Sequence, residues 1–166
     1  MTDERADADE PGGWALDPEP WGALARAVLV EEGVSGELDL TFVDEAAMSA
    51  LNAEHMGQEG PTDVLAFPLD GGSAEPAPTD VEVPRLLGDV VICSAVARGN
   101  AAAHAGPDHD GTAEEELALL VVHGVLHVLG WEHASDDDRT AMQAREQYHL
   151  GRWHRSGVRS AEAVRP

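Results

Sequence analysis

Apolar residues recur at helical spacing over residues 20–32, where Trp21, Leu24, Val28 and Leu29 share one face behind Pro20. Gly33 and Gly36 break that pattern. The period then shortens to two: ELDLTFV (37–43) sets Leu38, Leu40 and Phe42 on one face and predicts a half-buried strand. Asp44 is placed to cap a helix bearing Ala47, Met48, Leu51 and Asn52, with Glu31 and Glu45 read as surface charge. TDVLAFPL (62–69) predicts a second strand ended by Pro68. LGDVVIC (87–93) predicts a third, whose unbroken apolar run suits a central position. Ser94 is expected to cap the helix of Val96, Ala97 and Ala101 to Ala103. Thr112 with Glu115 suggests a capping box for a helix over about 113–129, and Ser135 with Asp136 to Asp138 starts a last one through Met142 and Tyr148. Three or four strands and about five helices in irregular alternation predict one small α+β domain.

The flanks read differently. Residues 1–18 mix acids with Ala, Pro and Gly and predict a disordered acidic tail that Trp14 pins to the domain. GGSAEPAPTDVEVP predicts a mobile loop over about 71–84. The single catalytic domain is expected over 19–154, with a C-terminal tail over 155–166.

A length of 166 residues supports one core. The chain has ten arginines, no lysine and 32 acids, a formal net charge of −22. That balance argues against a broad nucleic-acid footprint, although one local patch or a metal can still receive phosphates. Arg98, Arg139, Arg145, Arg152 and Arg155 are the candidates for such a patch. No signal peptide or membrane-spanning run is visible, and Cys93 is the only cysteine, in an apolar stretch that suits a buried thiol. A reducing cytoplasm is the expected location.

The chemistry concentrates in HGVLHVLGWEH (123–133). His123 and His127 are four apart, which on a helix turns the side chain by only about 40° and lifts it by roughly 6 Å. Gly130 lets the helix stop in a left-handed residue and the chain fold back, so that His133 reaches the same point. Three imidazoles with one open position are a catalytic zinc arrangement, and one zinc ion per chain is expected on His123, His127 and His133.

The spacing also fits the metzincin proteases, whose pattern is H-E-x-x-H-x-x-G-x-x-H. Their glutamate activates water. Here that position is Gly124, which neither takes nor delivers a proton, so a zinc metalloprotease is disfavoured.

HGVLHVLGWEH resembles the signature H-G-x-L-H-L-x-G-[YF]-D-H of the YbeY-type endoribonucleases, with Trp131 and Glu132 departing mildly from it. PTDVLAFPLD (61–70), LGDVVIC (87–93) and SDDDRTAM (135–142) are similar to further segments of that family, in the same order, over roughly residues 37–150. The resemblance implies a mixed sheet packed with helices, with a three-histidine metal site at the end of a central helix. It implies hydrolysis of single-stranded RNA and maturation of the 3′ end of small-subunit rRNA. A small-subunit ribosomal protein and an Era-like GTPase are the implied protein partners. A ribosome-assembly factor with a purely structural metal is the alternative within that resemblance. Many members carry arginine in the N-x-x-[YF]-R-G segment; here it reads NAEHMG, and Met56 stands in its place.

Three further positions are cleft candidates. Thr62 and Asp63 either flank the cleft or cap a strand entry. Asp89 is either a structural acceptor or the partner that orients a histidine. His55, His104, His109, His149 and His154 show no ligand spacing and are expected at the surface.

Overall fold

The structure is a computed structural model and describes residues 2–4, 16–69 and 85–155. Its elements run β1 (Thr2–Asp3), α1 (Glu19–Glu31), β2 (Glu37–Val43), α2 (Glu45–Met56), β3 (Val64–Pro68), β4 (Leu86–Cys93), α3 (Ser94–Ala101), α4 (Ala113–Val128) and α5 (Asp136–His149). A 3-10 turn (Ala102–His104) follows α3, and a π-helical turn (Leu150–Arg155) follows α5. The expected loop over 71–84, Trp14, and all of the expected C-terminal tail except Arg155 lie outside the described residues.

The sheet order is β1-β2-β4-β3, with β1 and β4 parallel to β2 and β3 antiparallel to β4. This is the mixed sheet of an α+β domain. The apolar run of β4 is central, as its composition requires: it is flanked by β2 and β3 and buries Val90, Ile92 and Cys93 completely. Alternation in β2 sends Leu40 and Phe42 to one face and Val43 to the other. On the first face α1, α4 and α5 contribute Val28, Leu117, Val121, Val125 and Met142 to the main core. On the second, Met48 of α2 packs with Val43, Leu65, Val91 and Cys93. Burial pushes the Cys93 thiol up from its ordinary value and so keeps it protonated.

Four local expectations change. Thr2 and Asp3, inside the expected tail, pair with Thr41 and Phe42, because β2 offers an edge on that side. The strand expected over 62–69 begins at Val64, not Thr62, since pairing with β4 starts at Val64 opposite Ile92. Ser94 is not a cap: β4 runs into α3 without a loop, so the cap position falls on Cys93 and Ser94 is already helical. The Thr112 hydroxyl accepts from the Glu115 N–H (3.1 Å), but the Glu115 side chain turns away to Arg155, leaving half a capping box. Asp44 and the Ser135–Asp138 box cap α2 and α5 as the sequence predicts.

Candidate metal centre

Helix α4 is apolar nearly all round because it crosses the middle of the sheet, and it buries Leu117, Val121, Val122, Val125 and Leu126 fully. Gly124 makes that crossing close. A Cβ there would lie 2.5 Å from Val90 Cγ1 on β4. The position at which a protease would carry its base is therefore closed by packed sheet.

The helix ends as the motif predicts. Gly130 has φ +91°, its N–H bonds to the His127 carbonyl, and the Trp131 N–H bonds to the Leu126 carbonyl. Those two bonds are a Schellman motif, which reverses the chain. His133 is thereby carried back beside the helix: its ring centroid is 5.9 Å from that of His123 and 4.9 Å from that of His127. One nitrogen of each of the three rings lies within 4.8 Å of one from each of the others. One ion bound at about 2 Å from each would draw these nitrogens to within about 4 Å of one another, a small inward movement of the rings.

Two features prepare these rings as ligands. His123 Nδ1 is 2.7 Å from Glu146 Oε1. A carboxylate only accepts, so Nδ1 carries the hydrogen and Nε2 keeps its lone pair for a metal. Burial, with help from His123 and His133, holds His127 below the ordinary imidazole value, which favours the neutral form that binds metal. The residues fit a divalent cation. Glu146 is missing from the sequence reading. Its signal was there, since Met142, Glu146 and His149 repeat at i, i+4 and i+7 on the buried face of α5.

His123, His133 and Glu146 open into a cleft of about 340 Å3 that is also lined by Asp63, His104, Glu116 and Arg139. Asp63 serves both of its candidate roles: its carboxylate accepts the Val64 N–H (2.9 Å) at the entry to β3, and it lines the cleft. Thr62 donates to that carboxylate (3.2 Å) and is not part of the lining. Asp89 lies in β4 opposite Phe67 and neither lines the cleft nor orients a histidine; Glu146 does the latter. Met56 is exposed at the end of α2.

Four of the five arginines expected to form a patch are ion-paired. Arg139, Arg145, Arg152 and Arg155 pair with Asp136, Glu32, Glu31 and Glu115, because so acidic a chain offers each a nearby carboxylate. Glu31 is correspondingly more than surface charge: it accepts from the Tyr148 hydroxyl, which with Arg152 holds its carboxyl below the ordinary value. Nor are all the remaining histidines at the surface. His55 is exposed, but His149 is fully buried against Glu32 (2.7 Å). His109 and His154 are largely buried beside Glu116 and Glu115, at 3.0 and 3.1 Å. Each found a carboxylate that no local spacing could have announced.

Comparison with known proteins agrees with this geometry. The family model for Endoribonuclease YbeY matches residues 19–154. An Endoribonuclease YbeY of Salinispora tropica is 43% identical over 139 residues, covering 79% of this chain and 84% of its own. One from Frankia alni is 40% identical over 163 residues, covering 96% and 87%. The solution structure of TM1509 from Thermotoga maritima shares the fold, with TM-score 0.54 at 23% identity over the full length of both chains. The chain belongs to the YbeY endoribonuclease family.

Proposed function

We propose that this chain is a metal-dependent endoribonuclease that hydrolyses single-stranded RNA and matures the 3′ end of small-subunit rRNA. The carrying observation is a three-imidazole cluster, oriented by Glu146 and open to a cleft, in a chain whose relatives are named endoribonucleases. His123, His127 and His133 would hold one zinc ion in the catalytic domain proposed over 19–154. When bound, such an ion supplies Lewis acidity at a phosphoryl oxygen.

The chain's own residues do the rest. Glu146 fixes the His123 ring and its tautomer. Arg139 is the cleft's arginine, and its ion pair with the exposed Asp136 (3.2 Å) is of the weak surface kind, so it is free to turn to a phosphate. In this reading it takes the place of the cation that Met56 does not supply. A base needs no pairing partner to enter an open cleft, which favours single strands over duplex. The protein partners proposed with this function are a small-subunit ribosomal protein and an Era-like GTPase, met in the cytoplasm. No described helix is long and apolar enough to cross a membrane.

The protease reading fails on Gly124, which packs on Val90. A ribosome-assembly factor with a structural metal is separated by turnover. The wild-type protein, purified without chelators, should carry close to one zinc per chain and cut a single-stranded RNA many times over. His127→Ala should do neither. Bound zinc without any cleavage would establish the structural-metal reading instead.

A further inference from the structure

Two residues of the cleft are not explained by metal binding. Glu116 is fully buried near the start of α4, and His104 stands in front of it, half exposed, on the 3-10 turn. His104 Nδ1 lies 3.0 and 2.9 Å from the two carboxylate oxygens of Glu116. The carboxylate only accepts, so Nδ1 carries a hydrogen, and Nε2 makes no hydrogen bond among the described residues. Behind the carboxylate, His109 accepts the Gly111 N–H at Nδ1 (3.0 Å) and brings Nε2 within 3.0 Å of Glu116 Oε2. A buried acid thus fixes one imidazole from the front, while a second packs behind it with Nε2 close to Oε2 but making no hydrogen bond.

The trio is not a second metal site. Because His109 Nδ1 accepts a hydrogen bond, the hydrogen of its neutral ring sits on Nε2, the only nitrogen that faces Glu116. A nitrogen bearing hydrogen does not ligate.

Position decides what His104 does. Glu116 and His123 are seven residues apart on α4, almost two turns, so they share a face and are separated by roughly 10 Å along the axis. His104 is held at the Glu116 end and the metal at the His123 end of one cleft. An in-line displacement puts the attacking and leaving oxygens on opposite sides of phosphorus. A group at the Glu116 end of the cleft stands away from the three histidines, on the side toward which the leaving oxygen departs when the attacking water enters from the histidine end.

We propose that His104 is the general acid of RNA hydrolysis, with Glu116 as its positioning residue; this rests on the endoribonuclease reading. Water adds to phosphorus and gives up a proton to solvent through the open cleft. The bond from phosphorus to the leaving ribose oxygen breaks, and its electron pair goes to that oxygen. His104 Nε2 delivers the proton it needs, and the neutral ring, still held through Nδ1 by Glu116, is reprotonated from solvent. The pairing is the carboxylate–imidazole device that keeps a ring's second nitrogen aimed at substrate.

The test replaces the leaving oxygen by sulfur. A thiolate departs without protonation, so the acid becomes dispensable. Three single-stranded RNAs would be compared, one with its normal linkage and two with sulfur at the 3′ or the 5′ bridging position of the cleaved bond. On the normal linkage His104→Ala should lose about 10²–10⁴-fold in kcat. On one of the two sulfur linkages it should lie within a few-fold of wild type, which also identifies the leaving oxygen. Glu116→Gln should follow the same pattern with a smaller loss, with zinc content unchanged in both variants. His104→Gln, which keeps a donor toward Glu116, controls for folding and should be as slow as alanine on the normal linkage. Equal loss on all three linkages, with zinc retained, would overturn the acid assignment and leave a binding or structural role. Wild-type protein that cuts none of them would overturn the endoribonuclease reading, and this proposal with it.

Discussion

At the C-terminal end of α4 three imidazoles face one another and a single carboxylate, Glu146, holds one of them. At the N-terminal end two buried carboxylates, Glu115 and Glu116, draw in His104, His109, His154 and Arg155. The chemical groups are nearly the same, and the proportions are opposite. Where carboxylates match the cationic and donor groups, most of the pairing is made within the chain: Glu115 takes Arg155 and His154, and Glu116 takes His104. Where three imidazoles converge and the one carboxylate serves only His123, the remaining ring nitrogens are placed so that a cation could complete them. The sequence also treats the two ends differently, spacing the metal ligands locally and recruiting the other cluster from turns and the far end of the chain.

That contrast breaks most sharply on His127→Ala. Metal content should fall from one equivalent to a small fraction, and cleavage of single-stranded RNA should drop by about 100-fold or more, because the remaining two imidazoles hold zinc far less tightly. Glu115→Gln is the matched change at the other end. It leaves Arg155 and His154 short of a carboxylate, so the melting temperature should fall by about 3–10 °C while zinc stays at one equivalent. Zinc loss from Glu115→Gln, measured on the same preparations, would mean that the two ends are one site.

Glu146→Gln sharpens the comparison within the metal end. The carboxylate raises the basicity of His123 and fixes its ring, so zinc affinity should fall about 10–100-fold in a competition titration, with the fold intact. Gly124→Ala asks how closely α4 must sit on the sheet. The new methyl meets Val90 at 2.5 Å and should cost roughly 1–3 kcal/mol of stability, read as a drop in melting temperature of about 3–10 °C. Specific activity per folded, zinc-loaded molecule should change much less.

The smallest effect is with pH. Burial holds His149 below its ordinary value of 6.5, while Glu32 and Glu31 oppose that shift and Arg145 adds to it. A proton therefore binds less readily in the folded state than in the unfolded chain. The stability this gives is fully present above pH 6.5 and is lost as pH falls through 6.5 toward the folded value. Protonation would add an N–H at Nδ1, which is buried without a partner. His149→Gln should flatten the decline in melting temperature below pH 6.5 by a few degrees. An unchanged slope would place the acid sensitivity elsewhere.

What could be read from sequence was what is written in local periods. His123, His127, Gly130 and His133 lie within eleven residues, so helix geometry and one glycine were enough to bring the rings together. Central β4 followed from its apolar run in the same way. Glu146, Glu116 and Glu32 were not legible as partners. Each meets its histidine across 12 to 117 residues, a distance set by how α1, α4 and α5 pack. An acid looks the same in sequence whether it faces water or a buried ring. For that reason the arginines read as a patch although four of them are paired with carboxylates, and Asp89 stood as either a structural acceptor or a ring's partner, the latter role falling to Glu146 of α5.

The central claim, that the three-histidine site is where RNA is cut, is tested most directly by titrating zinc into metal-stripped protein while measuring cleavage of a single-stranded RNA. Activity should start at background, rise in proportion to added zinc and level off at one equivalent per chain, with no rise in His123→Ala or His127→Ala. Full cleavage by the stripped protein, or a rise that the histidine variants share, would contradict it.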